Sequence, residues 1–68
     1  MIMPQGTVET LKESYGFIRC DDDRPDLFFH RLDLVDLVFD ERLIEQRVQF
    51  EQVDSPKGPR AKNVRPAD

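Results

Sequence analysis

Tyr15, Phe17, Phe28 and His30 are the residues whose types and spacing could do chemistry, and that chemistry is stacking. They lie in two short runs, Tyr15-Gly16-Phe17-Ile18 and Leu27-Phe28-Phe29-His30, separated by the polar turn Asp21-Asp22-Asp23-Arg24-Pro25. If the runs are neighbouring antiparallel strands, alternate residues point to opposite faces. With Ile18, Leu27 and Phe29 in a core, all four rings face water. Four exposed rings on adjacent strands are too costly to be casual, and together they form a surface for planar partners. The competing register puts Tyr15 and Phe17 inward and Ile18 outward.

Catalysis finds little support. There is no nucleophile–base pair and no glycine loop to cradle phosphate, so an enzyme is not expected. His30 is the sole histidine and Cys20 the sole cysteine, which argues against a metal centre. Asp21-Asp22-Asp23 lacks the rest of a calcium loop and reads as a solvated turn. No cofactor is expected.

The elements that must position the rings are short. Gly6 to Leu11 reads as a first strand, Tyr15 to Arg19 as a second and Asp26 to His30 as a third. Lys12-Glu13-Ser14 is the polar break between the first two, and Cys20 falls on the inward side beside Ile18. A short helical turn is expected over Asp33 to Leu37, with Asp33 as its cap, followed by irregular chain. The apolar residues from Leu32 to Phe39 serve either as core or as a self-association patch, which leaves weak homodimerisation open. Asp40-Glu41-Arg42 marks a bend. Arg47 to Glu51 alternates cleanly, with Val48 and Phe50 inward, and Asp54 to Pro59 is a turn. Ala61 to Arg65 makes a fifth strand with Val64 as its core residue. Five short strands with one longer connection predict a small closed all-β barrel, because closure hides strand edges.

Length and charge set bounds. Residues 1–68 suffice for a single domain with one small core, whose stability should be modest. No apolar run approaches the roughly 20 residues that span a bilayer. Met1-Ile2-Met3-Pro4-Gln5 does not read as a signal peptide, and one cysteine suits a reducing cytoplasm. The net charge of −4 runs against the basic patch usual in polyanion binders. It predicts binding driven more by stacking than by charge.

Three motifs in order resemble the cold-shock domain family, a five-stranded antiparallel OB-type barrel that binds single-stranded RNA and DNA. Tyr15-Gly16-Phe17-Ile18 is similar to the end of the family's Lys-Gly-Phe-Gly-Phe-Ile motif. Asp26-Leu27-Phe28-Phe29-His30 is similar to its Asp-Val-Phe-Val-His-Phe motif. Pro56-Lys57-Gly58-Pro59, with Ala61 and Asn63-Val64, resembles its closing Gly-Pro-Gln-Ala-Ala-Asn-Val. The pairing of the first two runs also looks like cold-shock domains of the Unr type.

The resemblance implies a non-enzymatic module for single-stranded RNA or DNA, an RNA chaperone or a regulator of transcripts. Tyr15, Phe17, Phe28 and Phe39 would stack bases, although Phe39 could equally plug the barrel. His30 would stack or hydrogen-bond, and Asp26 would accept from a base N–H. Lys12, Arg31, Lys57 and Arg60 would flank this face and meet phosphates.

Several departures trim the platform. Thr10 stands where the family carries tryptophan, Glu9 where it carries lysine, Arg31 where an aromatic follows the histidine, and Glu13-Ser14 where Lys-Gly is usual. Each lost ring is worth on the order of 1–3 kcal/mol of stacking. The alternative reading is therefore an OB-type barrel used for protein interaction or dimerisation, with an eroded nucleic-acid face.

Overall fold

The computed structural model describes residues 3–22 and 25–67. Met1-Ile2 of the N-terminal segment and Asp23-Arg24 of the acidic turn lie outside them. Five strands form a closed barrel in the order β1-β2-β3-β5-β4: β1 (Gln5–Leu11), β2 (Tyr15–Cys20), β3 (Leu27–His30), β4 (Arg47–Ser55) and β5 (Gly58–Pro66). Four of the five contacts around the barrel are antiparallel. The remaining one joins β3 to β5 in parallel through the pairing of Phe28 with Arg60.

Strict alternation decides the core. Val8, Ile18, Phe29, Val48, Phe50 and Val64 are fully buried, and each is flanked in its strand by less buried neighbours. Cys20 is buried at the end of β2, which extends one residue beyond the expected Arg19. The β4–β5 hairpin turns on Pro56 and Lys57 between the paired residues Ser55 and Gly58. Proline's fixed φ suits the first position of such a turn, and the Ser55 hydroxyl donates to the Gly58 carbonyl at 2.5 Å.

The long connection differs from the expected turn at Asp33 to Leu37. The helical turn is a 3-10 turn over Arg31–Asp33, and its cap is His30. The Leu32 N–H donates to His30 Nδ1 at 3.1 Å, and the His30 N–H donates to Asp33 Oδ2 at 3.0 Å. Asp33 thus closes a capping box from the third position instead of opening the turn. The chain cannot continue as helix, because the Val35 N–H is taken by the Val64 carbonyl of β5 at 2.7 Å. Leu34, Leu37 and Phe39 pack against the core, while Leu32 and Val38 stay exposed. A second 3-10 turn, Glu41–Leu43, replaces the simple bend; Asp40 caps it and Leu43 is buried beneath it. Among the described residues no helix is long and apolar enough to cross a membrane.

Candidate nucleic-acid interface

Three rings from two strands meet on the outer face of the barrel. In the β2–β3 ladder Tyr15 lies opposite His30 and Phe17 opposite Phe28. Because Ile18, Leu27 and Phe29 fill the core, the register leaves these four residues half-buried on the outside. Tyr15 and Phe28 lie 5.3 Å apart with planes inclined by 31°, in a tilted contact. Phe17 meets both edge-on, at 6.0 Å and 6.1 Å. Such contacts hold the rings in place without burying their faces. His30 joins them with a defined tautomer. Its Nδ1 accepts from the backbone, so the neutral ring carries its proton on Nε2, where it can donate.

The hairpin walls one side of this face. Phe28, His30, Lys57, Pro59 and Arg60 line an open groove of about 480 Å³ together with Ser55, Pro56 and Gly58, a volume suited to a small planar ligand. Arg60 lays its guanidinium over Phe28, with Cζ 5.7 Å from the ring centroid, and forms an ion pair with Asp33. Lys57 sits exposed at the hairpin tip. Lys12 lies exposed in the β1–β2 turn beside Tyr15. Arg31 is also exposed, and its N–H donates to the Ser14 carbonyl at 2.8 Å. The structure does not bring Phe39 to this cluster: its ring meets buried Phe29 edge-on at 6.5 Å, against the core.

Asp26 lies at the far end of the face, and its neighbour there is an acid. Glu9 occupies the irregularity in β1 between Val8 and Thr10 and shares a hydrogen bond with the Asp26 carboxyl. That bond, and the repulsion between the two charges, raise the Glu9 carboxyl above its ordinary value. Asp21 shows the opposite case. Arg47 grips it bidentately at 2.5 Å and 2.6 Å, which holds its carboxyl below the ordinary value. Arg47 also reaches Thr7 and Gln5, so it ties β1 and β4 to the end of β2 and is occupied there.

The sign of each shift sets its pH window. A raised carboxyl stabilises the fold below its unfolded pKa and loses that contribution as pH rises through its folded value. Glu9 is that case, whereas the contribution of Asp21 is lost as pH falls through its depressed value. Exchanging Glu9→Lys turns a like-charge pair into an ion pair with Asp26. We expect it to raise the melting temperature more at pH 7 than at pH 4. We also expect about fivefold tighter binding of an oligouridine at low salt, a gain that shrinks as salt screens it. Equal melting shifts at both pH values would show that the two carboxylates do not interact.

Asp33 is a residue that the sequence did not assign to this face. Asp33 carried a signal, its position three residues after His30, but histidine is not among the preferred caps. For Glu9 only its sign was visible; the partner was not.

Comparisons with known proteins agree with this geometry. Residues 4–67 match the family described as "'Cold-shock' DNA-binding domain". The chain is 40% identical over 65 residues to a probable cold shock protein A of Mycolicibacterium smegmatis, covering 93% of this chain and 97% of the relative. It is 41% identical over 63 residues to a cold shock-like protein of Aquifex aeolicus, covering 90% of each. Among solved structures it is similar to the Drosophila Unr fragment CSD456, with a TM-score of 0.79 at 28% identity. That likeness covers 98% of this chain but 27% of the Unr chain.

Proposed function

The chain belongs to the cold-shock domain family, and from that premise we propose that it is a non-enzymatic module for single-stranded RNA or DNA, acting as an RNA chaperone or a regulator of transcripts in the cytoplasm. The observation that carries this reading is the Tyr15–Phe17–Phe28 cluster held outside a filled core. Every nucleobase has a π-face, so such a cluster takes up unpaired bases with little demand on sequence. Bases in a duplex are already stacked and gain nothing from it. Trapping unpaired strands in this way melts weak secondary structure without a nucleotide cofactor.

His30 Nε2–H serves a base edge or a phosphate. Lys12, Arg31 and Lys57 are exposed and hold no ion pair among the described residues, which suits them to phosphates. Asp26 accepts from a base N–H at the rim, although Glu9 competes for it. Phe39 requires a shift off Phe29 before it can reach a base, so we place it at the edge of the site.

Short unstructured oligouridine or oligothymidine should quench the emission of Tyr15, the single tyrosine in a chain without tryptophan. The affinity should fall only shallowly with salt, because few phosphates are neutralised. Calorimetry at low salt that shows no heat with any single-stranded oligomer would overturn this reading. It would favour a barrel for protein contact or self-association through exposed Leu32 and Val38.

A further inference from the structure

Arg60 is the cation most deeply set in the ring face, yet its surroundings do not suit a phosphate anchor. Its side chain is only 31% exposed, and Asp33, exposed by 11%, pairs with it. The same Asp33 oxygen accepts the His30 N–H at 3.0 Å. One carboxylate therefore ties the histidine of the platform to the guanidinium lying over Phe28. Arg60 Nε is buried with no acceptor among the described residues, so the guanidinium is not held by a full set of hydrogen bonds. Its neighbours there are the Asp33 carboxylate and the Phe28 ring. A planar guanidinium stacks on aromatic faces and on bases. Neutralised by Asp33, it gains little by replacing bound counterions on a phosphate.

We propose that Asp33 is a positioning residue of the binding face, and that it fixes Arg60 as a charge-neutralised stacking plate extending the Tyr15–Phe28 surface. The plate stands in for ring area that Thr10 and Arg31 do not supply. This inference rests on the single-strand reading above and names how that same site gains its stacking area.

The salt dependence of heptauridine binding tests it, because a phosphate contact contributes to the log–log slope and a stacking plate does not. Wild-type protein is compared with Arg60→Gln, Asp33→Asn, their double variant, and Asp36→Asn as a control of equal charge change. Asparagine at 33 keeps an acceptor for the His30 N–H, and melting curves verify that each variant folds. Arg60→Gln should bind about fivefold more weakly at every salt concentration, with the wild-type slope. Asp33→Asn frees the guanidinium for phosphate and should steepen the slope by about 0.7, the contribution of one contact on a single strand. The double variant should return to the wild-type slope, and Asp36→Asn should not depart from it.

A slope made shallower by Arg60→Gln would identify Arg60 as a phosphate contact and overturn the proposal. Equal steepening by Asp33→Asn and Asp36→Asn would overturn it too, since only general charge would then be at work. Wild-type protein that binds no oligomer at any salt would overturn the single-strand reading first, and this inference with it. The pair would then be a clasp between the 3-10 turn after β3 and β5, seen as matching losses of stability in both single variants.

Discussion

Phe17→Ala combined with Phe28→Ala should abolish measurable binding of short single strands while the barrel keeps its fold. Each base–ring stack is worth about 1–3 kcal/mol, so losing two weakens binding by at least about 30-fold. The cost to stability is confined to the surface. Both rings sit outside the core, which is filled by Ile18, Phe29, Phe50 and their neighbours, and what they lose is three ring contacts, two with Tyr15 and one with each other. Each of these contacts is worth about 1 kcal/mol, and the filled core is untouched. Titration with a labelled oligomer and a thermal melt of the same variant separate the two effects. A variant that binds normally would remove the rings from the site, and one that unfolds would make them core.

Gly16→Ala should have the opposite profile, a large loss of stability from a single methyl group. Gly16 lies in β2 between the two platform residues Tyr15 and Phe17, and it faces inward. A Cβ there would stand 2.5 Å from the Thr10 carbonyl oxygen and 2.9 Å from both Leu11 Cδ2 and Phe29 Cζ. Neither the backbone oxygen of β1 nor the ring of a fully buried phenylalanine can yield cheaply. Overpacking of this kind costs about 1–3 kcal/mol, a large share of the stability of so small a domain. The melting temperature should fall by about 10 °C or more. Oligomer affinity, measured well below the new melting point, should fall too, because displacing β1 from β2 moves the Tyr15 and Phe17 backbone. An unchanged melting temperature would show that the two strands separate more readily than their spacing suggests.

The two glycine-punctuated features were unequally legible. Gly58, with φ of 114°, stands in a run of turn residues that announces a hairpin. Gly16 gives no such notice, since a glycine between two rings says nothing of what lies behind it. His30 was legible as a ring of the face but not as the cap of the next turn. That role depends on its extended backbone, φ −94° and ψ 151°, and on Asp33 three residues later. Phe39 was open between base contact and barrel plug; it is partly buried and packs against Phe29 of the core.

What the sequence by itself determined is the alternation and its punctuation. A period of two in Tyr15–Ile18 and Leu27–His30, with polar turns between apolar runs, sets which side chains can share a face, because the strand backbone offers no other geometry. The three family motifs added the OB-type barrel as the expected fold. Only the tertiary structure decided the partners. Closing the barrel sets β3 beside β5, and that contact brings together Arg60 and Asp33, 27 residues apart in the chain. It also puts Arg60 over Phe28, as the β1–β2–β3 sheet sets Glu9 beside Asp26. Charges of this kind take their meaning from neighbours distant in sequence. A lysine or arginine read alone is a phosphate contact; the same arginine closed against a carboxylate and a ring is a plate.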